Sequence, residues 1–383
     1  RHCAERVTFR GDPAVHGLSH DRQKGAGTIA SQTTPITGFM EIHPEYSCMA
    51  GPVSAGDAPI ILVEALEHTY GGFKAVDGIS FSVKKGEIFS FLGPNGAGKS
   101  TAINVLITLL ALQNGKATIA GHDVKTDPQK IRESIGIVFQ DITLDRDMTV
   151  WEILEFHGRL YGMPLAERRE RIEELLNLVQ LDAKRNELTK KLSGGMKRRL
   201  EIARGLMTRP LVLFLDEPTI GLDPQTRMRM WEYIRSVNRE GTTIFLTTHY
   251  MDEADHLSDR ISIIDHGKII ITGTPWQLKN TLGQDLIYLE TSDNPAARRL
   301  LESLPSVREI TEKKQGIVLM VNEDGTRLLP GVIDTLREAG IAITTINLKK
   351  PTMDDVFVFY TGKEIRDEGQ QPARGGFLRA ARH

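Results

Sequence analysis

The chain has 383 residues, 40% of them hydrophobic and 26% charged, which is ordinary for a globular protein and excludes disorder throughout. A formal net charge of -2 supplies no overall basic field, so the charge balance gives no support to strong nonspecific nucleic-acid binding. The two cysteines, Cys3 and Cys48, precede every motif and can build neither a disulfide framework nor a metal cluster, which fits a reducing cytoplasm.

Residues 1–57 mix Gly, Ser, Thr, Pro, His and charge without sustained periodicity and begin at Arg1. They are expected to form a disordered or artefactual extension, with natural initiation at Met40 or Met49, and they lack the apolar run of a signal peptide. From Ile60 the pattern becomes strand-like: 60–63, and then Ile79, Phe81 and Val83 alternating with polar partners, lie on either side of Gly71-Gly72. This predicts an antiparallel sheet at the start of the folded part. Residues 87–92 form a short apolar strand that runs into Gly93-Pro94-Asn95-Gly96-Ala97-Gly98-Lys99-Ser100-Thr101, and 100–112 has helix-compatible content. Strand, loop, helix is the context that a phosphate-binding loop requires.

Between about 141 and 205 apolar residues recur at helical spacing, as in Val150, Ile153, Leu154 and His157 and again in Ile172, Leu175, Leu176 and Val179. A helical insert is expected there. Residues 211–215 and 243–248 return to buried-strand composition, with a helical stretch around 227–238 between them, as parallel strands joined by crossovers require. After Pro275 the order is strand 286–289, helix 296–304, strands 307–310 and 317–321, helix 329–336 and strand 341–348, a βαββαβ pattern of ferredoxin-like type. The final residues, Gly-rich and basic, read as a solvated tail. Apolar runs such as 211–215 and 269–271 are far shorter than the ~18–20 residues that span a bilayer, so the chain is not expected to cross one by itself.

Gly93, Gly98, Lys99 and Ser100 satisfy G-x-x-x-x-G-K-[ST], in which glycines let backbone N–H groups turn inward on phosphate oxygens at a helix start. Lys99 would bridge the β- and γ-phosphates, and the Ser100 hydroxyl would be a ligand of Mg²⁺, a hard ion that favours oxygen donors. At the end of 211–215, Asp216 would face the metal through water while Glu217 polarises the attacking water, since successive side chains on an extended segment point apart. Further upstream, in Leu192-Ser193-Gly194-Gly195-Met196, Ser193 can cap the helix carrying Met196, Leu200, Ala203 and Met207, and Gly194 and Gly195 leave its first amides open to an anion.

The order of phosphate loop, 192–196 segment and Asp216-Glu217 resembles the ATP-binding cassette (ABC) family, and the resemblance covers about residues 60–275. It implies an α/β P-loop NTPase fold of ABC type, with a helical subdomain and an antiparallel β-sheet, followed by a small α+β, ferredoxin-like domain. The expected division is an extension at 1–57, the ATPase at 58–275, the accessory domain at 276–362 and a flexible tail at 363–383. The implied cofactors are ATP and Mg²⁺. The nucleotide would lie along Gly93, Pro94, Asn95, Gly96, Ala97, Gly98, Lys99, Ser100 and Thr101, with the metal at Ser100, Asp216 and Gln140.

By the same resemblance Gln140 is the Q-loop glutamine, reaching metal and water, and His249 is the switch histidine, contacting the γ-phosphate beside Lys99 and Glu217. Ser193, Gly194 and Gly195 would meet the γ-phosphate held by a second copy or a homologous ATPase subunit. Asp223 of Gly221-Leu222-Asp223 would sit at the dimer seam. Tyr70 would stack on adenine, with Phe73 as the alternative platform. Met196 departs from the commoner Gln, and Ser193 is expected to be exposed and far from Lys99 of its own chain.

Residues 348–357, Leu-Lys-Lys-Pro-Thr-Met-Asp-Asp-Val-Phe, look like the multidrug and antibiotic-resistance branch of exporters. The role implied is the ATP-hydrolysing subunit of a transporter with separate transmembrane permease subunits, peripheral on the cytoplasmic face of the membrane, exporting drugs, antibiotics or other hydrophobic compounds, with no nucleic-acid partner. Two rivals share the cassette. A nucleic-acid maintenance ATPase would bring coiled-coil arms, zinc modules or paired cassettes, none of which is visible in the sequence, and a nonhydrolytic regulatory module is opposed by Glu217 and His249.

Overall fold

The computed structural model describes residues 58–313 and 315–362. The expectations for 1–57, with Cys3, Cys48, Met40 and Met49, and for the tail 363–383 lie outside the described residues.

Strands β1 (Ile61–Tyr70) and β2 (Phe73–Val83) form a hairpin about Gly71-Gly72. Strand β3 (Ile88–Leu92) is buried along its whole length, and α1 (Lys99–Leu106) follows the glycine loop. The helix was expected to reach 112. It stops six residues earlier because Thr108 takes a left-handed φ of 66° and the N–H groups of Leu109 and Leu110 both fold back on the Asn104 carbonyl, turning the chain toward the next strand. That strand, β4 (Asn114–Ile119), pairs with β1 and with the two-residue β5 (His122–Asp123) to complete a four-stranded antiparallel sheet.

Next come α2 (Pro128–Ser134), β6 (Ile135–Val138), α3 (Val150–Leu160), α4 (Leu165–Leu178) and α5 (Gly194–Gly205). The first turn of α3 is fixed by a capping box, Thr149 with Glu152, so the helical insert starts its first helix at 150 after a loop from 139. After it lie β7 (Val212–Asp216), α6 (Pro224–Arg239), β8 (Thr243–Thr248), α7 (Met251–Leu257), β9 (Arg260–Asp265), β10 (Lys268–Gly273) and α8 (Pro275–Asn280).

The second sheet runs β10-β9-β3-β8-β7-β6, parallel except for the β9–β10 hairpin. Its strands β7 and β8 alternate between two cores. On β7 and β8, Val212, Phe214 and Phe245 join α1 and the antiparallel sheet, while Leu213, Leu215, Ile244 and Leu246 face α5, α6 and the helical insert. In the first core Phe81, Phe89, Phe91, Phe214 and Phe245 pack as an aromatic cluster, with Phe81 and Phe91 edge to face at 4.9 Å. Because β3, β6, β7 and β8 are parallel, their carboxyl ends open on one side, where α/β sheets place ligands.

The last region holds β11 (Asp285–Thr291), α9 (Asn294–Leu301), β12 (Val307–Lys313), β13 (Gly316–Val321), α10 (Gly325–Glu338), β14 (Ile343–Lys349) and α11 (Met353–Thr361). Its strand order β12-β13-β11-β14, antiparallel throughout, is ferredoxin-like. The last described helix, α11, was not expected from the sequence. Thr352 and Asp355 cap it, and Met353, Val356 and Phe357 enter one core with Val318 and Met320 of β13, Leu278 of α8, Met251 and Ala254 of α7, and Leu92 at the end of β3.

Candidate active site

The glycine loop is glycine-rich for two steric reasons. A Cβ on Gly93 would lie 2.2 Å from the Ile264 carbonyl oxygen of β9, so only glycine lets the loop leave β3 this close to its neighbour. Gly98 takes φ 104° at the cap of α1, and its Cβ would lie 2.3 Å from the Ala75 oxygen of β2. The loop is therefore clamped between the two sheets.

Lys99, 4% exposed, donates to the carbonyls of Gly93 (2.7 Å) and Pro94 (3.1 Å) and lies 3.4 Å from Glu217 Oε1. Burial lowers its pKa, and the Glu217 and Asp216 charges pull it partly back. Ser100 donates to Asp216 Oδ1 at 3.2 Å, and Thr247 of β8 donates to the same oxygen. Two hard oxygen donors thus converge, which fits a Mg²⁺ ion. Among the described residues no group of three or more His, Cys, Asp or Glu could hold a metal, so an ion there would complete its shell from phosphate and water oxygens.

Glu217 does not continue β7. It takes a left-handed φ of 48°, a conformation costing roughly 1–3 kcal/mol for a non-glycine residue, and this backbone turn rather than strand alternation separates its side chain from that of Asp216. Its Oε2 lies 3.1 Å from His249 Nδ1 and 3.5 Å from Gln140 Nε2, so Lys99, Gln140 and His249 converge on one carboxylate. Burial pushes the Glu217 carboxyl up; the His249 hydrogen bond and the Lys99 charge outweigh it and leave the pKa below its ordinary value.

The other expected residues lie elsewhere. Tyr70 and Phe73 face each other at the tip of the β1–β2 hairpin, both exposed, Tyr70 edge-on to His68 at 4.7 Å. Ser193 caps α5 by accepting from the Met196 N–H at 3.3 Å and, with Gly194, is exposed. Gly195 is buried instead of open: its Cβ would lie 2.5 Å from Thr226 Cγ2, so this glycine serves the packing of α5 on α6. Asp223 caps α6, accepting from the Thr226 N–H at 3.0 Å.

Sequence reasoning missed Thr247, whose hydroxyl serves both Asp216 and the Glu217 N–H, and Glu253 of α7. Glu253 is fully buried, accepts from Thr219 Oγ1 and Trp231 Nε1, and has its pKa raised by burial. A threonine in a β-strand and a glutamate in a charged helix carry no local signal of either role.

This arrangement defines a phosphate-loop nucleotide hydrolase with an αβ core. Residues 76–220 match the family model described as ABC transporter, and residues 273–361 match that of the ATP-binding protein DrrA1-3-like, C-terminal domain. The daunorubicin resistance ATP-binding protein DrrA3 of Streptomyces coeruleorubidus is 39% identical over 306 residues, 80% of this chain and 97% of the relative. The Nod factor export ATP-binding protein I of Ralstonia nicotianae is 37% identical over 332 residues, 84% of this chain and 99% of the relative.

Among solved structures, cbiO1 of Clostridium perfringens, part of the ABC transporter complex cbiONQ, is 30% identical with a TM-score of 0.55, covering 64% of this chain and 96% of that one. A dimeric, post-hydrolysis ATP-binding cassette bound to ADP and Pi is 27% identical with a TM-score of 0.50, covering 56% of this chain and 98% of that one. The chain belongs to the ABC transporter family and is an ATP-binding, ATP-hydrolysing subunit of a transporter.

Proposed function

We propose that this chain powers the export of drugs, antibiotics or other hydrophobic compounds through separate transmembrane permease subunits, from the cytoplasmic face of the membrane. The observation that carries this reading is that likeness extends beyond the cassette through 273–361, the whole accessory region, and that relatives spanning both parts bear the names of daunorubicin resistance and Nod factor export.

In this reading the backbone amides from Gly93 to Thr101 and the Lys99 ammonium bind the phosphates, and Tyr70 or Phe73 covers the adenine. Mg²⁺, held by Ser100 and Asp216 with Gln140 beside them, would neutralise phosphate charge. Glu217, kept ionised by its neighbours, orients water and takes its proton, while His249 steadies that carboxylate and reaches the γ-phosphate. Ser193 and Gly194 are exposed whereas Lys99 is buried, which supports a site completed by the Ser193 face of a second copy or a homologous subunit, with Asp223 at the seam.

A groove of about 480 Å³ supports the permease contact. It is lined by Phe156 and Leu160 of α3, by Tyr161 just after it and by Leu109, together with Phe139 and Thr143, which bracket Gln140 in the chain. An apolar element seated there would press on the Gln140 loop. Three of these walls, Leu109, Phe156 and Leu160, are among the most exposed large hydrophobic residues.

Two experiments test the reading. Glu217→Gln should bind ATP and form an ATP-dependent dimer on size exclusion while turnover falls by about a hundredfold to ten-thousandfold; near-wild-type ATPase would remove Glu217 from its role. Purification from native membranes should bring down a permease, and a permease-free complex would favour the rival nucleic-acid or regulatory function.

A further inference from the structure

Arg198 lies on α5, five residues after Ser193, and only 4% of it is exposed. All its partners are internal. Nε donates to the Pro218 carbonyl (2.8 Å), Nη2 to the carbonyls of Asp216 (3.2 Å) and Glu217 (3.0 Å), and Nη1 to the Phe139 carbonyl and to Glu201 Oε2 (3.0 Å). Five acceptors thus meet the five N–H groups of a rigid, planar fork. Glu201, with no exposed surface, uses its other oxygen to accept the Thr143 N–H at 2.8 Å.

Two of the carbonyls belong to Asp216 and Glu217 themselves, and the Phe139 carbonyl immediately precedes Gln140. On the opposite side, the Glu217 N–H is held by the Thr247 carbonyl and hydroxyl, both at 3.1 Å. The left-handed turn that aims Glu217 at His249 and Lys99 is therefore pinned by β8 on one side and by Arg198 on the other.

We propose that Arg198 is a positioning residue for hydrolysis: it sets the backbone of Glu217 and makes that backbone answer to the helix bearing Ser193. A rotation of α5, as when Ser193 engages a nucleotide on the second subunit, moves the guanidinium and with it the 216–218 carbonyls and, through Glu201, the 139–143 loop. Positioning of the water-orienting carboxylate is thereby linked to assembly of the composite site. The inference rests on the assignment of Glu217 above.

The discriminating variant is Arg198→Lys, which keeps the cation facing Glu201 but cannot span carbonyls on both sides of the fork. With purified full-length chain, kcat should fall about tenfold or more, as misplacement of a reacting group by about an ångström entails, while KM for ATP and the nucleotide Kd stay within about twofold; the melting temperature should drop, because buried carbonyls lose donors, but stay above the assay temperature. In single-turnover assays, adding Arg198→Lys to Glu217→Gln should lower the residual rate no further and should leave the ATP-dependent dimer intact.

If Arg198→Lys does not fold, Arg198→Gln, which keeps two N–H donors but not the cation, is held to the same readouts. An unchanged kcat, a loss confined to KM or Kd, or an additive loss in the Glu217→Gln background overturns the proposal. Near-wild-type turnover in Glu217→Gln alone sinks the Glu217 assignment and this inference with it; full loss there with unchanged kcat in Arg198→Lys sinks this inference alone.

Discussion

Lys99 and Glu217 hold each other in a buried site, and each is shifted by the other and by burial. For Glu217 the folded-state pKa is depressed from 4.5, so its interactions add stability that is fully present above the unfolded value and is lost as pH falls through the folded one. Glu217→Gln mimics the protonated acid. The gap in melting temperature between the nucleotide-free wild type and this variant should be steady above about pH 5.5 and close as pH drops below about 4.5. A gap that widens in acid would contradict the depressed pKa. Arg198 shows what a sequence hides at this scale: its acceptors are mostly main-chain carbonyls 18–59 residues away, which no motif encodes, and only the spacing to Glu201 is local.

Elements with both faces buried were the most legible. Strands β3 and β7 read correctly because each is a short, nearly unbroken apolar run feeding a motif at its carboxyl end, and β8 because its apolar centre is flanked by β-branched threonines. The glycine loop was legible as a pattern, but the reason for its first glycine was not, since the Ile264 carbonyl arrives from β9 about 170 residues downstream. Gly93→Ala should cost about 1–3 kcal/mol by overpacking and displace the loop, so thermal melts and nucleotide titration should fall together; normal ATP affinity would show that the loop tolerates the shift. Helix α11 escaped because Met353–Thr361 mixes β-branched and aromatic residues without a clear 3.6 period, and its capping box and its contacts with α7 and α8 override that composition. Helix α1 was over-extended for the opposite reason: 107–112 is apolar enough for a helix, yet the chain must turn to begin β4.

Across the whole molecule, the expected boundary near residue 275 separates elements but not packing. One apolar core runs from Leu92, next to Gly93, through Met251, two residues after His249, to Phe357 of α11. Phe357→Ala should therefore destabilise by about 3–5 kcal/mol and do so for the cassette as well, giving one shifted unfolding transition in denaturant. Two transitions, with only the minor one moved, would mean that the accessory region unfolds independently.

That shared core also decides what can be grafted. A cassette cut at residue 275 and given another protein's tail would present Met251, Ala254 and Ile261 to a surface shaped for different neighbours, directly behind the glycine loop and His249. Such a chimera would inherit every residue proposed to bind nucleotide and still lack the wall they lean on. Among the described residues, the piece to exchange as a unit is accordingly the stretch from β1 through α11.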